Sequence, residues 1–297
     1  MALGTEPSLA SCQRYQGMMK KTHITDDELR KKAGVYPSSK VCSVSGDQPG
    51  TVRPRPVLSG EHGSRVGENA NLVVNPDFAL VRSDYRVRLA GETSPLHARA
   101  HNLVASMYGS RGLVATAPSR PGREAEQVTL AASAGHRVFG TLTLGMDSDT
   151  GLLADSLYRP EIDELRRRGR RLCEVTRLAF DPELSCQEVM ATVFNVAFVL
   201  AREVHTRTDL LAEVHPRHAK FYRRTMGYRI AGPVRTCQRV RAPAVLLHLC
   251  LDFARSQIRQ FGGTRIQGER SLYRLFLPAV EQEVLLKKLI VPDTAGA

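Results

Sequence analysis

The spacing of apolar residues changes several times along the chain, and each change marks an element. Tyr85-Arg86-Val87-Arg88-Leu89 alternates with a period of two and predicts a strand. Ser94-Pro95 is an N-cap followed by proline at the first helical position, so a helix is expected over 95–110, closed by Gly112. Two β-type runs, 127–134 and 137–145, flank Ala134-Gly135-His136, the turn of a hairpin. Residues 151–171 are irregular and then helical. An apolar, β-prone strand follows over 172–180, and Asp181-Pro182 stops it. Ser185 and Glu188 form a capping-box pattern at the head of a helix over 185–204 that is apolar nearly all round, hence buried. A strand over 208–214 ends at His215-Pro216, and a short helix over 217–227 ends at Gly227. Residues 228–240 predict a strand kinked at Gly232-Pro233, residues 245–261 an amphipathic helix ending at Gly262-Gly263, and residues 280–289 a last helical piece. This mixed order predicts one α/β domain of α+β type.

Residues 1–74 read differently. The stretch 36–71 is rich in Ser, Gly, Pro and Val without a sustained period, as in Arg53-Pro54-Arg55-Pro56. Such a stretch buries too little to offset its ordering entropy. One short helix is expected over 25–33, with Thr25 and Glu28 as its capping box and Gly34 as its stop. The predicted division is a largely disordered or loosely docked extension, 1–74, and a domain with a helical tail, 75–297.

The strand over 172–180 stands out for its charges. Glu174 and Arg177 sit in an apolar run, where each needs a partner. In a regular strand they would point to opposite faces, because alternate residues share a face. A β-bulge between them adds one residue to the count and turns both toward one cleft. The plain alternative is a structural ion pair near a strand end.

Composition narrows the class. The 297 residues, 42% of them hydrophobic, suffice for a proper core. With 42 Lys+Arg against 30 Asp+Glu, the formal charge of +12 points to an acidic partner. The six cysteines include no CxxC pair, and Cys173, Cys186 and Cys250 lie in apolar runs, as free thiols of a reducing compartment do. No apolar signal-peptide core follows the amino terminus, and the longest apolar run, 189–201, is interrupted by Thr192 and Asn195 and is too short to span a bilayer. A cytoplasmic location is expected. His97 and His101 lie one helical turn apart without a third ligand, so no metal site is expected. P-loop, dinucleotide and nucleophile-elbow patterns are absent from the sequence.

Two local patterns resemble a known family. Leu172-Cys173-Glu174-Val175-Thr176-Arg177-Leu178-Ala179 is similar to the central strand of the bacterial N-acyl amino acid synthases and of their relatives, the acyl-homoserine lactone (autoinducer) synthases, which have a GNAT-type fold. His215-Pro216-Arg217-His218-Ala219-Lys220-Phe221-Tyr222-Arg223-Arg224-Thr225-Met226-Gly227-Tyr228 resembles the GNAT segment in which a short helix follows the splayed fifth strand. The likeness spans roughly residues 77–262. It implies a GNAT-like α/β fold: a central mixed, mostly antiparallel sheet with a splay between strands 4 and 5, flanked by helices. It also implies an N-acyltransferase that moves a medium- or long-chain acyl group from a thioester to the amine of an amino acid or similar small molecule. Acetyl-CoA-using members carry a Gly-rich turn that cradles pyrophosphate on a helix N-terminus. Here that turn is Asp181-Pro182-Glu183-Leu184-Ser185-Cys186-Gln187, with two acids and no glycine. The resemblance therefore implies an acyl carrier protein thioester as donor and no tightly bound cofactor. A coenzyme A-dependent enzyme and a non-catalytic basic binding module on the same frame are the alternatives.

The chemistry assigns roles. An amine attacks a thioester only in its neutral form, so a base must take its proton, donors must steady the oxyanion, and the departing thiolate needs a proton. Glu174 is the expected base, directly or through water. Arg177 either tunes it or clamps an acceptor carboxylate. Backbone N–H groups about Val175, Thr176 and Leu178 would face the oxyanion. By the resemblance, Tyr222 lies near the sulfur as general acid, with an ordinary amphipathic aromatic as the alternative. Phe194, Phe198 and Phe221 are expected to line an acyl tunnel, with plain core as the alternative for each. Residues 217–241 hold eight Lys/Arg and no Asp or Glu. Arg217, Lys220, Arg223 and Arg224, with Arg167 and Arg168 from the run 166–171, are the expected docking surface for an acidic acyl carrier protein, as against a merely solvated face. Nucleic acid is not expected, because no RNA-binding signature accompanies the charge.

Overall fold

The structure, a computed structural model, describes residues 72–82, 84–113 and 126–292. In chain order its elements are β1 (Leu72–Val74), β2 (Ala79–Val81), β3 (Arg86–Leu89), α1 (Pro95–Gly109), β4 (Gln127–Ala134), β5 (Arg137–Met146), α2 (Asp155–Arg167), β6 (Leu172–Phe180), α3 (Gln187–Phe198), β7 (Asp209–Val214), α4 (Pro216–Met226), β8 (Arg229–Ile230), β9 (Arg235–Cys237), β10 (Ala242–Cys250), α5 (Leu251–Phe261), α6 (Ala279–Leu289) and β11 (Ile290–Pro292). The main sheet runs β2-β3-β4-β5-β6-β7-β10-β8, with β9 on β10, and β1 pairs separately with β11. Its pairings are antiparallel except for β6 with β7. This is the mixed, mostly antiparallel sheet flanked by helices that the sequence predicts.

Strand alternation decides which helix each side chain meets. Leu130, Ala132, Leu142 and Leu144 point to the face covered by α3, where they join Val193, Phe194 and Phe198 in the main core. Ala131 points the other way, to Leu96 and Ala100 of α1. On that second face α2 packs Tyr158 and Ile162 against Leu172, Leu211 and Leu246. Ser94 caps α1 as its sequence position demands, accepting the His97 N–H at 3.1 Å. Gly227 ends α4 in the left-handed region, φ +77°, which favours glycine.

Four expectations change. Residues 245–250 are strand, not helix, and α5 begins only at Leu251. Leu246 and Leu247 reach opposite cores while β10 is sandwiched between β7 and β8, so a run apolar on both faces suits a central strand as well as a buried helix. The predicted strand 228–240 is two short ones, β8 and β9. Between them the Tyr158 hydroxyl donates to Pro233 O, and a Cβ on Gly232 would come within 2.7 Å of the Tyr158 ring. No capping box forms at α3: the cap is Cys186, and Ser185 Oγ donates instead to Phe139 O at 2.8 Å. The same helix closes in a π-helical turn, Val199–Val204. The helix expected over 25–33 lies outside the described residues, as does the 1–74 extension apart from β1, which forms just ahead of the predicted boundary.

Candidate functional site

β6 and β7 pair from Leu172↔Asp209 to Val175↔Ala212, and past that point they part. Counted from β3, these are the fourth and fifth strands. A cavity of about 1030 Å³ fills the opening, walled by the second half of β6, by α1 on one side and by Met190, Phe221 and Tyr222 on the other. Irregular pairing on the opposite edge of β6 explains how its charges reach this space. Thr143 pairs with Thr176 and Thr141 with Ala179, so two residues of β5 span three of β6. The extra residue is a bulge at Arg177, whose φ is +47°. Val175 belongs to the α3-side core while Leu172 belongs to the α2-side cluster, which sets Glu174 on the α2 side. The bulge then returns Arg177 to that same side, where its Nη1 donates to Gln127 Oε1 at 3.2 Å and its charge is felt by His97 and Tyr108 of α1. Both side chains line the cavity.

Glu174 is 4% exposed and sits opposite Gly145, where a Cβ would lie 3.4 Å from its Cγ. Its Oε1 accepts the Leu153 N–H at 2.6 Å and its Oε2 the Ala154 N–H at 3.1 Å. These are the amides that lead into α2, whose N-terminus favours negative charge. These two bonds hold the carboxylate in place where it lines the cavity.

Glu213, one residue beyond the last β6–β7 pair, faces the cavity as well. Its Oε2 accepts from Arg239 Nη2 at 2.7 Å. Arg239 also donates through Nη1 to Leu153 O at 2.8 Å and to Ser156 Oγ. Sequence reasoning missed this pair, because it places Arg239 in the basic stretch 217–241 and nothing local ties it to Glu213. Arg235 likewise leaves that stretch: it pairs with Glu161 and lies 4.8 Å over the Tyr158 ring.

Tyr222 and Phe221 line the cavity in edge contact with each other. Burial pushes the Tyr222 hydroxyl well above the usual phenol range, with the neighbouring Tyr108 adding to the effect, so it stays a neutral donor. His218 is held down to about 4 by burial and by Arg217 and Arg111, and is neutral at pH 7. Val175, Thr176 and Leu178 also line the cavity. Phe194 and Phe198 do not: at 3% and 7% exposure they pack into the main core, since α3 turns them onto the sheet. Arg217, Lys220, Arg223 and Arg224 are exposed on α4. Arg167 and Arg168 are exposed too, each paired with Glu164, while Arg166 is consumed by Asp147, Asp155 and Asp163. Among the described residues there is no cluster of three or more His, Cys, Asp or Glu placed to hold a metal, and no helix is long and apolar enough to cross a membrane.

Comparison with known proteins is consistent with this geometry. Residues 99–250 match the model of the family described as N-acyl amino acid synthase FeeM, a span that runs from α1 to the end of β10 and covers half of the chain. Among solved structures, FeeM, an N-acyl amino acid synthase from uncultured soil microbes, is 26% identical with a TM-score of 0.52, over 58% of this chain and 93% of that one. The AHL synthase LasI (17% identity, TM-score 0.39, 62% of this chain and 91% of that one) and a ribosomal-protein-S5-alanine acetyltransferase from Vibrio fischeri (13%, 0.39, 59% and 98%) are more distant. No curated protein matches the chain. The chain belongs to the N-acyl amino acid synthase FeeM family and is a GNAT-type N-acyltransferase.

Proposed function

We propose that this enzyme moves a medium- or long-chain acyl group from a carrier-protein thioester to the amine of an amino acid or a similar small molecule. One observation carries the reading: the bulge at Arg177 sets a guanidinium and the Glu174 carboxylate on one side of β6, beside a large cavity. At about 1030 Å³ that cavity stands at the top of the range of roughly 300–1,000 Å³ typical of small-molecule sites. It has room for an acyl chain beside its acceptor. Arg177, with a single side-chain hydrogen bond among the described residues, offers its fork to an acceptor carboxylate. Glu174 takes the amine proton, directly or through water. The amine nitrogen then bonds to the thioester carbon, and the oxyanion faces the β6 edge about Val175, Thr176 and Leu178, which β7 has left. As the C–S bond breaks, the Tyr222 hydroxyl protonates the departing sulfur, and the second proton lost by the attacking nitrogen restores the tyrosine through water.

The α3 entry favours a carrier protein over coenzyme A. Asp181 Oδ1 accepts the Glu183 N–H at 2.9 Å, Glu183 lines the cavity and Glu188 sits in the first helical turn. Acids at that N-terminus repel a pyrophosphate. The exposed cations of α4, Arg217, Lys220, Arg223 and Arg224, would meet the acidic carrier, with Arg167 and Arg168 contributing less because Glu164 already balances them. The test offers the purified enzyme acyl-carrier protein and acyl-CoA of matched chain length with single amino acids, and follows the amide by mass spectrometry. Amide from the carrier thioester, reduced about 100-fold or more in Glu174→Gln, is expected. Arg177→Lys should raise KM for an amino acid more than for its decarboxylated amine. Equal turnover from acyl-CoA would remove the carrier protein, and undiminished turnover in Glu174→Gln would remove the base.

A further inference from the structure

The two cavity carboxylates are joined by an unbroken chain of hydrogen bonds. Glu174 Oε2 accepts the Ala154 N–H at 3.1 Å. The Leu153 carbonyl of that same peptide group accepts from Arg239 Nη1 at 2.8 Å, and Arg239 Nη2 donates to Glu213 Oε2 at 2.7 Å. Ser156 Oγ takes a further bond from Arg239, so the guanidinium is tied to the start of α2 at two points. It comes from the turn between β9 and β10 and lines the cavity. Its side chain is 24% exposed, against 12% for Glu213.

Two carboxylates facing one low-dielectric cavity oppose each other's ionisation, and one of them then holds a proton. A base that already holds a proton cannot take one from an ammonium group. The arginine lies where that conflict would arise. We propose that Arg239 is a positioning residue, which holds Glu174 and Glu213 in fixed places on the acceptor end of the cavity and keeps both ionised together. It acts on Glu213 directly and on Glu174 through the Leu153–Ala154 peptide group and its own charge. The inference rests on the acyl-transfer reading only for its kinetic consequence.

The neighbouring groups leave this task to the arginines. Tyr108 on α1, Tyr158 on α2 and Cys237 on β9 all feel Glu213, and burial raises all three, so they remain neutral near pH 7. Cys173, on the other face of β6, feels Glu174 and is also raised by burial. Among the described residues, the arginines lining the cavity are Arg239, Arg177, Arg111 and, on α4, Arg217. Arg177 is engaged with Gln127 and stands ready for the substrate, so Arg239 carries the standing balance.

The experiment compares wild type with Arg239→Met and Arg239→Lys in two measurements. In the first, the carboxyl carbons of 13C-labelled glutamate are followed by NMR from pH 3 to 8, with Glu174→Gln and Glu213→Gln giving the assignments. In Arg239→Met one of the two midpoints should rise by a unit or more, and in Arg239→Lys by less. In the second, kcat/KM for amide formation is measured against pH. Its acidic limb should move up with the NMR midpoint, and Arg239→Lys should restore most of the activity at pH 8. Midpoints that stay put in a folded variant overturn the proposal, as does an activity loss equal at every pH. If Arg239→Met does not fold, the sign of the Arg239→Lys shift decides alone. A wild-type protein that makes no amide while its midpoints shift as described would overturn the acyl-transfer reading and leave this one standing.

Discussion

The two ends of the β6–β7 pair carry the same kinds of group and use them in opposite ways. At the paired end Asp209, 1% exposed, is saturated: Arg170 reaches it at 2.5 and 3.0 Å, His248 Nε2 lies 2.7 Å away and Thr208 Oγ1 2.6 Å. At the other end, just short of where the strands part, Glu174 is nearly as buried, yet it accepts backbone N–H groups and lines a cavity, while Arg177 beyond it makes one side-chain hydrogen bond among the described residues. The surroundings explain the contrast. Asp209 is enclosed by Arg170, just ahead of β6, and by His248 of β10. Glu174 stands beside the opening that forms as β7 leaves β6. A buried acid next to an arginine is therefore uninformative by type; whether it borders a cavity separates the two settings.

The largest effects should divide along that line. Asp209→Ala strands Arg170 and His248 and should cost about 3–5 kcal/mol of stability, while the protein that remains folded keeps its turnover. Glu174→Gln should lose about 100-fold or more in turnover with little change in melting temperature. Thermal melts paired with amide assays check both, and a shared loss of stability and activity in either variant would erase the distinction. Next come the aromatics: Phe194→Ala should cost about 3–5 kcal/mol as a core cavity. Phe221→Ala should cost less, and should shift the preferred acyl length in a competition among chain lengths. An unchanged length profile would take Phe221 off the acyl path.

A smaller effect is visible in acid. The Asp209 carboxyl is held down to about 2 from 3.8, with His248, Arg170 and Thr208 as the bonded partners that overcome its burial. A depressed acid contributes stability that is full above its unfolded value and lost as pH falls through the folded one. The difference in unfolding free energy between wild type and Asp209→Asn should stay level at neutral pH and shrink in acid, by about 1 kcal/mol at pH 3. Denaturant melts at pH 7 and pH 3 measure it; a difference that grows in acid would reverse the assignment. Least of all, Arg167→Gln at the exposed end of α2 should change stability by under about 0.5 kcal/mol, and its effect on carrier-thioester KM should be smaller than that of Arg223→Gln.

Much of this was legible from residues alone. Ser94-Pro95 opens a helix and Gly227 closes one because capping and left-handed backbone are local matters. The spacing of Glu174 and Arg177 within an apolar strand raised a bulge as one way to turn both charges toward one cleft, beside a plain structural ion pair. The remainder depended on what the chain meets elsewhere. Residues 245–250 became strand because β7 and β8 stood ready on either side. Phe194 and Phe198 went to the core, and Phe221 to the cavity, through the rotation of two helices against one sheet. Arg239 left a basic stretch to join Glu213 and the Leu153 carbonyl, residues 26 and 86 positions away in sequence. Local pattern fixes period, caps and charge, because those forces act within a few residues. Which ion pairs form, and which charged groups border a cavity, is decided by contacts between distant segments that only the folded chain brings together.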